Sequence, residues 1–418
     1  MKQPKINTDT EAQKLLKNKY LKNLVTSERH DIIWRYLDGV YCADALVNIR
    51  KLYPQLQKRE VDEIIDKVKR RTYRPEPIFD QCNKIAFDNV TYRLNNNKIE
   101  KHSPSNYLTR KLPVKYDNKA TCPNIEAMLT KMFRTKEIQT IYELIGYSFY
   151  PRKTLKANIF LCGKANTGKS TLVLILRALV GDNNCVGYGI HAYQPNSSKY
   201  ALAHLKGKLM NIGDDISNRD LKDVTILKWI TGGRVAITVR QIYTAPEEID
   251  QLPLNIFCAN ELPAVPNDDA FYNRCVILES KHVFPEKDQD AVLRALTTPE
   301  ELSGLLNKVL KHLPNLMKRG HFQQQSNTNA IKKRWQNFAN DEVQEFIQTH
   351  LIMERSAETP KIEIYKKYRE FCKSKGIVIK IQTSFGRSLK QKINEDVPFG
   401  LGSKKIKGTN FYVGIRLK

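Results

Sequence analysis

The chain has 418 residues, of which 41% are hydrophobic and 27% charged, a balance typical of a folded globular protein and not of a disordered or fibrous one. Its formal net charge of +25 favours a polyanionic partner, most often nucleic acid. The 8 cysteines include no C-x-x-C pair and the apolar runs are too short to span a bilayer, so we expect no zinc ribbon and no membrane partner, but a cytoplasmic chain with free thiols.

Residues 1–120 are predicted to form a mostly helical N-terminal domain that serves as a collar, for DNA binding or for oligomerisation. Apolar residues have helical spacing over 11–24 and 61–71. Over 84–98 they alternate as in β-structure, with an asparagine-rich turn at 95–97. Prolines then mark the exit from this region.

The most informative motif is Gly-Lys-Ala-Asn-Thr-Gly-Lys-Ser at residues 163–170. It follows the apolar run 158–162 and precedes an apolar helix, which is the context of a P-loop. Backbone N–H groups of such a loop close on phosphate oxygens, its lysine reaches the β- and γ-phosphates, and its serine ligates Mg²⁺. We therefore predict that Mg²⁺ and a nucleoside triphosphate are bound by these residues: Gly163, Asn166, Thr167, Gly168, Lys169, Ser170 and Thr171.

Polar residues follow two further predicted strands. After the run 208–212, we assign Mg²⁺ coordination to Asp214 and activation of water to Asp215, with the reverse assignment left open. An Asx turn that closes the strand is the alternative. Asn260 follows the strand 254–259, where it either contacts the attacking water or the γ-phosphate, or forms a turn.

Two basic elements complete the central region. Arg274 precedes the predicted strand 275–278, and we expect it either to enter the nucleotide site of a neighbouring subunit or to form a surface ion pair. Residues 231–243 alternate like a hairpin arm, which is either an ordinary exposed hairpin or a DNA-contacting one. Its candidate DNA contacts are Arg234, Arg240, Gln241 and Tyr243.

Helices are predicted over 286–318, followed by a polar Gln/Asn-rich segment, 320–338, interpreted as a linker. Residues 339–418 are predicted to form a separate α+β unit with helices over 342–352 and 361–373.

A third helix of this unit is predicted to begin near Gln382, with Phe385, Leu389 and Ile393 four residues apart on one stripe. Basic residues lie off that stripe and in a β-wing that follows. The predicted DNA contacts are Arg387, Lys390, Lys404, Lys405 and Lys407. A protein-binding unit is the alternative.

The order of these motifs resembles superfamily 3 helicases, in particular the phage, satellite-phage and poxvirus primase–helicase family. The resemblance is carried by the P-loop and by Gly-Asp-Asp-Ile-Ser (213–217), Leu-Lys-Trp-Ile-Thr-Gly-Gly (227–233) and Ala-Asn-Glu-Leu-Pro (259–263). Phe-Tyr-Asn-Arg at 271–274 is similar to the family's aromatic-Arg-Arg element, with asparagine in place of the first arginine. Segments 34–41 and 85–104 resemble the domain that precedes the helicase, and 385–389 the family's winged-helix end.

The resemblance implies an α/β fold in which an AAA+ P-loop core (121–319) follows the N-terminal domain and a winged-helix DNA-binding domain (339–418) ends the chain. It implies an ATP-dependent replicative DNA helicase that forms a homo-hexameric ring. The ring would move along single-stranded DNA, with 3′–5′ polarity, and unwind forked DNA when a phage, plasmid or genomic island replicates. Because only about thirty residues precede Trp34, we expect primer synthesis by a separate primase. The alternative is an initiator that binds origin duplex and uses ATP as an assembly switch, without processive unwinding of its own.

Overall fold

The chain forms two compact units, Met1–Phe338 and Ala339–Lys418. The computed structural model describes the following residues: 6–19, 21, 23–28, 31–75, 78–81, 83–195, 198–232, 237–239, 247–249, 251–285, 289–322, 328–338, 342–375, 379–396, 400–406 and 408–418.

The first unit begins with helices and short strands, in the order α1 (Thr8–Lys17), β1 (Val25–Ser27), β2 (Ile32–Leu37), β3 (Val40–Cys42), α2 (Ala45–Leu52), α3 (Lys58–Thr72), β4 (Tyr73–Arg74), β5 (Lys84–Ala86), β6 (Thr91–Arg93) and β7 (Lys98–Glu100). The strands pair as one sheet in the order β3-β2-β1-β4 and as an antiparallel sheet in the order β5-β6-β7. The prediction of a mostly helical region is therefore corrected to a mixed one. The β-structure predicted over 84–98 is confirmed as β5, β6 and β7, with the asparagine-rich turn between β6 and β7, whereas β1 to β4 were not predicted.

The central part continues with α4 (Pro123–Met132), α5 (Thr135–Ser148), β8 (Asn158–Cys162), α6 (Lys169–Val180), β9 (Cys185–Val186), α7 (Ser198–His204), β10 (Met210–Gly213), α8 (Thr225–Ile230), β11 (Ile237–Val239), β12 (Glu247–Ile249), β13 (Leu254–Ala259), α9 (Asp269–Tyr272), β14 (Cys275–Glu279), α10 (Gln289–Leu296), α11 (Pro299–Arg319) and α12 (Thr328–Phe338). Strands predicted over 158–162 and 254–259 are confirmed with the same bounds.

A parallel sheet in the order β14-β8-β13-β10-β9 forms the centre of the first unit. Every residue of β8 and β13 is buried, because both faces of the sheet are covered. Ile159 and Leu161 face the main core, while the ring of Phe160 packs against Trp335 of α12. The predicted α/β class is confirmed, and the strands of the sheet are parallel. Since β13 lies between β8 and β10, the loops that follow these three strands meet at one edge.

Three buried asparagines fix how the central strands align. Asn255 of β13 donates from Nδ2 to Oδ1 of Asn158 on β8 at 3.1 Å, and Asn211 of β10 donates to Asn255 Oδ1 at 3.2 Å. Sheet register places these residues directly opposite one another. A shift of one residue would break both hydrogen bonds in the interior, so the ladder favours a single register.

Close packing joins α11 to α4. Both backbone N–H groups of Asn124 and Ile125 donate to the carboxylate of Glu301 at 3.0 Å, which caps the start of α4. A Cβ atom at Gly304 would lie 2.1 Å from the carbonyl carbon of Thr121, so only glycine permits this approach. The two helices are thus held together on one side of the sheet.

The predicted linker, 320–338, is corrected over its second half, which forms α12. Trp335 is 1% exposed, its Nε1 donates to the carbonyl of Pro263 at 2.9 Å, and its ring packs against Phe271 at 5.4 Å. Ile331 and Trp335 are four residues apart and both buried, a helical stripe that the Gln/Asn-rich composition of the preceding segment obscured. The predicted boundary at residues 120/121 stays a prediction.

The second unit contains α13 (Glu342–His350), β15 (Leu351–Pro360), α14 (Lys361–Lys375), α15 (Gln382–Asp396), β16 (Gly402–Ile406) and β17 (Thr409–Leu417). Its strands pair antiparallel in the order β15-β17-β16. Aromatic residues fill its core, with the rings of Tyr368 and Phe385 stacked at 4.1 Å. The three predicted helices are confirmed, whereas β15 was not predicted, because most of its side chains are at least partly exposed and carry no apolar pattern.

Over the described parts of both units, we find no helix with the length and apolar character that crossing a bilayer requires.

Candidate functional site

The loop that joins β8 to α6 is fixed by the ends of the two strands beside β8. Gly163 N donates to the carbonyl of Ala259 at 3.2 Å, and Ser280 Oγ donates to the carbonyl of Thr167 at 2.7 Å. The carbonyl oxygen of Ser280 would lie 2.4 Å from a Cβ atom at Gly163. Glycine is therefore required where the loop leaves the sheet.

The second glycine of the loop starts α6. Gly168 has a φ of +82°, a left-handed conformation that favours glycine, and a Cβ there would lie 3.0 Å from both Met132 and Phe284. Phe284 N also donates to the carbonyl of Asn166 at 2.8 Å. The first turn of α6, which includes Thr171, thus begins beside a restrained loop, and the N–H groups of a first turn are suited to an anion.

Lys169 connects the loop to the end of β13. Its Nζ donates to the carbonyls of Gly163 and Lys164, both at 2.7 Å, and to Oδ1 of Asn260 at 2.8 Å. Burial lowers the pKa of Lys169, and the negative charge of nearby thiols and carboxylates partly opposes this effect. The predicted residues Lys169 and Asn260 therefore lie in direct contact.

Asp214 and Asp215 follow β10 at the same edge, and both are exposed. The negative charges of the two carboxylates interact with the Lys169 ammonium. Asp215 N donates to Asp214 Oδ1 at 3.0 Å, a contact between adjacent residues that is not the Asx turn of the alternative, in which the acceptor lies two residues before the donor. The Asp214 carboxylate also interacts with the thiol of Cys258 on β13, whose pKa is raised by burial and then by this carboxylate.

Ser170 and Asp214 are suited to Mg²⁺. Both are exposed at the carboxyl edge, one in the first turn of α6 and one after β10, and both offer oxygen ligands. Within the described ranges, no group of three or more His, Cys, Asp and Glu side chains could hold a metal ion.

Arg274 lies at the amino ends of the strands, whereas Lys169 lies near their carboxyl ends. The carbonyl of Arg274 accepts a hydrogen bond from Asn158 N at 2.6 Å, at the start of β8, and a five-residue strand spans about 16 Å. Its side chain is partly exposed and donates to the carbonyl of Ala270. The fold therefore does not bring Arg274 to Lys169 within one chain.

The predicted hairpin is only partly described. Strands β11 and β12 pair antiparallel, with Ile237 opposite Ile249, so two hairpin arms are present. The four candidate DNA contacts of this segment, Arg234, Arg240, Gln241 and Tyr243, lie outside the described residues, as does Lys407.

In the second unit, α15 buries one stripe and exposes another. Phe385 and Leu389 are fully buried and Ile393 is 1% exposed, whereas Arg387 and Lys390 are exposed. In the β16–β17 hairpin, Lys405 is exposed and Lys404 forms an ion pair with Glu358 of β15. The described basic residues thus lie on the surface of the unit.

Two residues that contact the site, Ser280 and Cys258, were not predicted from the sequence. Ser280 directly follows β14 and lies two residues after the predicted strand 275–278, so a rule that accepts polar residues close to a strand end would also have selected it. Cys258 gave no signal, because it reads as one more apolar residue of a buried strand.

Three segments of the chain match protein families. Residues 16–134 match the family described as D5 N terminal like, residues 161–274 match a family of unknown function (DUF5906), and residues 339–414 match the family described as Poxvirus D5 protein-like. None of the curated proteins matches the chain significantly.

Among solved structures, the chain is similar to the A form apo structure of the NrS-1 C terminal region, at 15% identity and a TM-score of 0.45, over 99% of this chain and 100% of that chain. A second apo structure of that region (305–718) gives 15% identity and a TM-score of 0.43 over the same shares.

Proposed function

We propose that this chain, a relative of the D5-type primase–helicases, hydrolyses ATP to unwind DNA during replication. The observation that carries the proposal is the meeting of Lys169, Asn260, Asp214 and Asp215 beside a glycine-bounded loop at one sheet edge. A phosphate-cradling loop, a lysine and carboxylates at strand ends are the parts that NTP hydrolysis uses. We assign an AAA+ P-loop core to 121–319 and a winged-helix domain to 339–418.

Each residue of the site has a task in this proposal. Lys169 exchanges its loop carbonyl acceptors for the β- and γ-phosphates, and Asn260 orients the attacking water. Ser170 and Asp214 would hold Mg²⁺, and the ion would neutralise part of the phosphate charge. Asp215 accepts the proton of the attacking water, although the two aspartates are also suited to the reverse roles.

Arg274 serves a neighbouring subunit in this proposal. It lies at the amino edge of the sheet, about one strand length from the Lys169 site of its own chain. A head-to-tail ring, here a homo-hexamer, brings a different edge of the next subunit to that site. The guanidinium then stabilises the charge of the transferring phosphate.

DNA is the partner that the charge of +25 favours. We propose that the β11–β12 hairpin grips single-stranded DNA in the ring and that the exposed face of α15, with the β16–β17 hairpin, docks on duplex at a fork. Movement along the strand is proposed as 3′–5′.

Replacement of Lys169 by alanine tests the proposal. We expect Lys169→Ala to reduce ATP turnover and strand separation of a forked duplex by at least a hundredfold, because the ammonium leaves the site, and to retain most DNA binding. Lys164→Ala is the matched control, since its carbonyl and not its exposed side chain contacts Lys169. Phosphate release and anisotropy of labelled DNA are the measurements. Unchanged turnover in Lys169→Ala would contradict the assigned site.

A further inference from the structure

A row of three cations crosses the small sheet β5-β6-β7. Lys84 lies directly opposite Arg93, and Arg93 lies directly opposite Lys98. Like charges in opposed positions destabilise a sheet. The ATP site uses none of these residues, so the row requires another explanation.

The row borders a cleft of about 380 Å³. The residues that line it carry two cations and four amides and no acid: Gln81, Asn83, Lys84, Arg93, Asn95 and Asn96. Cations bind phosphate oxygens, while asparagine, glutamine and arginine side chains make paired hydrogen bonds to base edges. The cleft therefore offers cations to the phosphate of a nucleotide and amide side chains to its base.

The cleft keeps a positive excess despite one nearby carboxylate. Glu100 accepts from Lys84 Nζ at 2.6 Å and from Arg93 Nε at 2.5 Å. Burial resists ionisation of Glu100, but the hydrogen bonds from both cations outweigh it and lower its pKa. The three cations of the row thus outnumber one carboxylate, which contacts two of them. Lys98 is exposed, and the side chain of Arg93 is 47% exposed, so both are accessible to a ligand.

The walls of the cleft are held in place. Asn83 Nδ2 donates to Oδ1 of Asn95 at 2.9 Å, which links the start of β5 to the asparagine-rich turn after β6. Arg152 Nη2 donates to Oε1 of Gln81 at 3.3 Å and adds a fourth cation at the rim. The site is therefore largely formed before any ligand arrives, which lowers the entropy cost of binding.

We propose that this cleft captures a segment of single-stranded DNA, with Arg93 and Lys98 at phosphates and the amides at base edges. The inference rests on the proposed function and adds a strand-binding site in the N-terminal part of the first unit. A concave cleft of this size admits an unpaired base, whereas a duplex presents paired bases and a convex backbone.

The test compares two double variants of the full chain. Arg93→Gln/Lys98→Gln removes one cation of the cleft lining and the cation opposite it in the row, and the control Lys51→Gln/Lys58→Gln removes two exposed cations from α2 and α3. Anisotropy of a labelled oligothymidine is measured over a salt series. We expect the cleft variant to bind on the order of tenfold more weakly at 0.1 M salt, with a log–log slope reduced by about 1.4, because each phosphate contact on a single strand contributes about 0.7. The control should keep the wild-type affinity and slope.

A third variant, Asn96→Asp, adds a negative charge to the cleft without a change in size, and we expect several-fold weaker binding at an unchanged thermal midpoint. Wild-type affinity in both cleft variants would overturn the proposal, and so would an equal loss of affinity for blunt duplex. Phosphate release by the wild-type chain separates the two proposals. If the wild type hydrolyses ATP and the cleft variants bind oligothymidine as tightly as the wild type, only the cleft proposal is overturned. A wild-type chain that neither turns over ATP nor binds oligothymidine removes both.

Discussion

At Gly163, the loop of the site passes so close to Ser280 that a single methyl group has no room. We expect Gly163→Ala to displace the loop, to weaken ATP binding at least tenfold and to destabilise the first unit by about 1–3 kcal/mol. Gly187→Ala is the control, because its Cβ would meet only Ile212 O at 3.7 Å. Binding of a fluorescent ATP analogue and thermal unfolding are the measurements. Equal behaviour of the two variants would contradict the steric argument.

Lys153 gives a prediction about pH. Its Nζ is buried and donates to the carbonyls of Ser148 at 3.1 Å and Tyr150 at 2.5 Å. Burial, and then the charge of Arg110, hold its pKa well below the usual 10.5. Between the folded and unfolded pKa values the unfolded chain binds more protons, so stability rises with pH in that window.

We therefore expect the wild type to gain thermal stability relative to Lys153→Met as the pH is raised from about 7 to about 10. Thermal unfolding at a series of pH values checks this. A difference in unfolding midpoint that stays constant with pH would show that Lys153 does not titrate as its burial requires.

At the scale of elements, α12 is docked on the sheet by its one tryptophan, which is enclosed by aromatic rings from β8 and α9. We expect Trp335→Ala to cost about 3–5 kcal/mol of unfolding free energy, the usual range for an aromatic residue lost from a core. Trp229→Ala, at a tryptophan that is 42% exposed, should cost far less. Urea unfolding followed by circular dichroism compares the two. A small effect at Trp335 would mean that α12 is not docked.

Long buried strands and amphipathic helices could be predicted from the sequence, whereas several short or partly exposed strands could not. The bounds of β8 and β13 follow from continuous apolar runs. Strands β1 to β4 were not predicted, since three of them have only two or three residues, and half of the residues of β15 are polar. Likewise, the P-loop motif selected Lys169 and the strand-end rule selected Asp214 and Asn260, but no local pattern shows that β13 is inserted between β8 and β10, which is what brings them together.

On the scale of the whole molecule, the separation of Arg274 from Lys169 predicts that catalysis needs two chains. We expect Lys169→Ala and Arg274→Ala proteins, each inactive alone, to recover up to about a quarter of wild-type turnover when mixed in equal amounts, because that share of interfaces pairs an intact lysine with an intact arginine in a head-to-tail ring.

The control mixes Lys169→Ala with Asp214→Ala, two defects in the same half of the site, which should restore nothing. Phosphate release in the presence of single-stranded DNA is measured for both mixtures. No recovery at any ratio of the first pair would argue that Arg274 does not act on a neighbour's nucleotide.

The asparagine ladder has a consequence beyond the stability of the sheet. Asn158, at one end of the ladder, also donates its backbone N–H to the carbonyl of Arg274. The register of these buried strands therefore sets the position of the Arg274 backbone at the amino end of the sheet. In the proposed ring, a change of register between these strands would displace the guanidinium that Arg274 offers to the neighbouring subunit. Strand alignment inside one subunit would then affect hydrolysis at the site of the next.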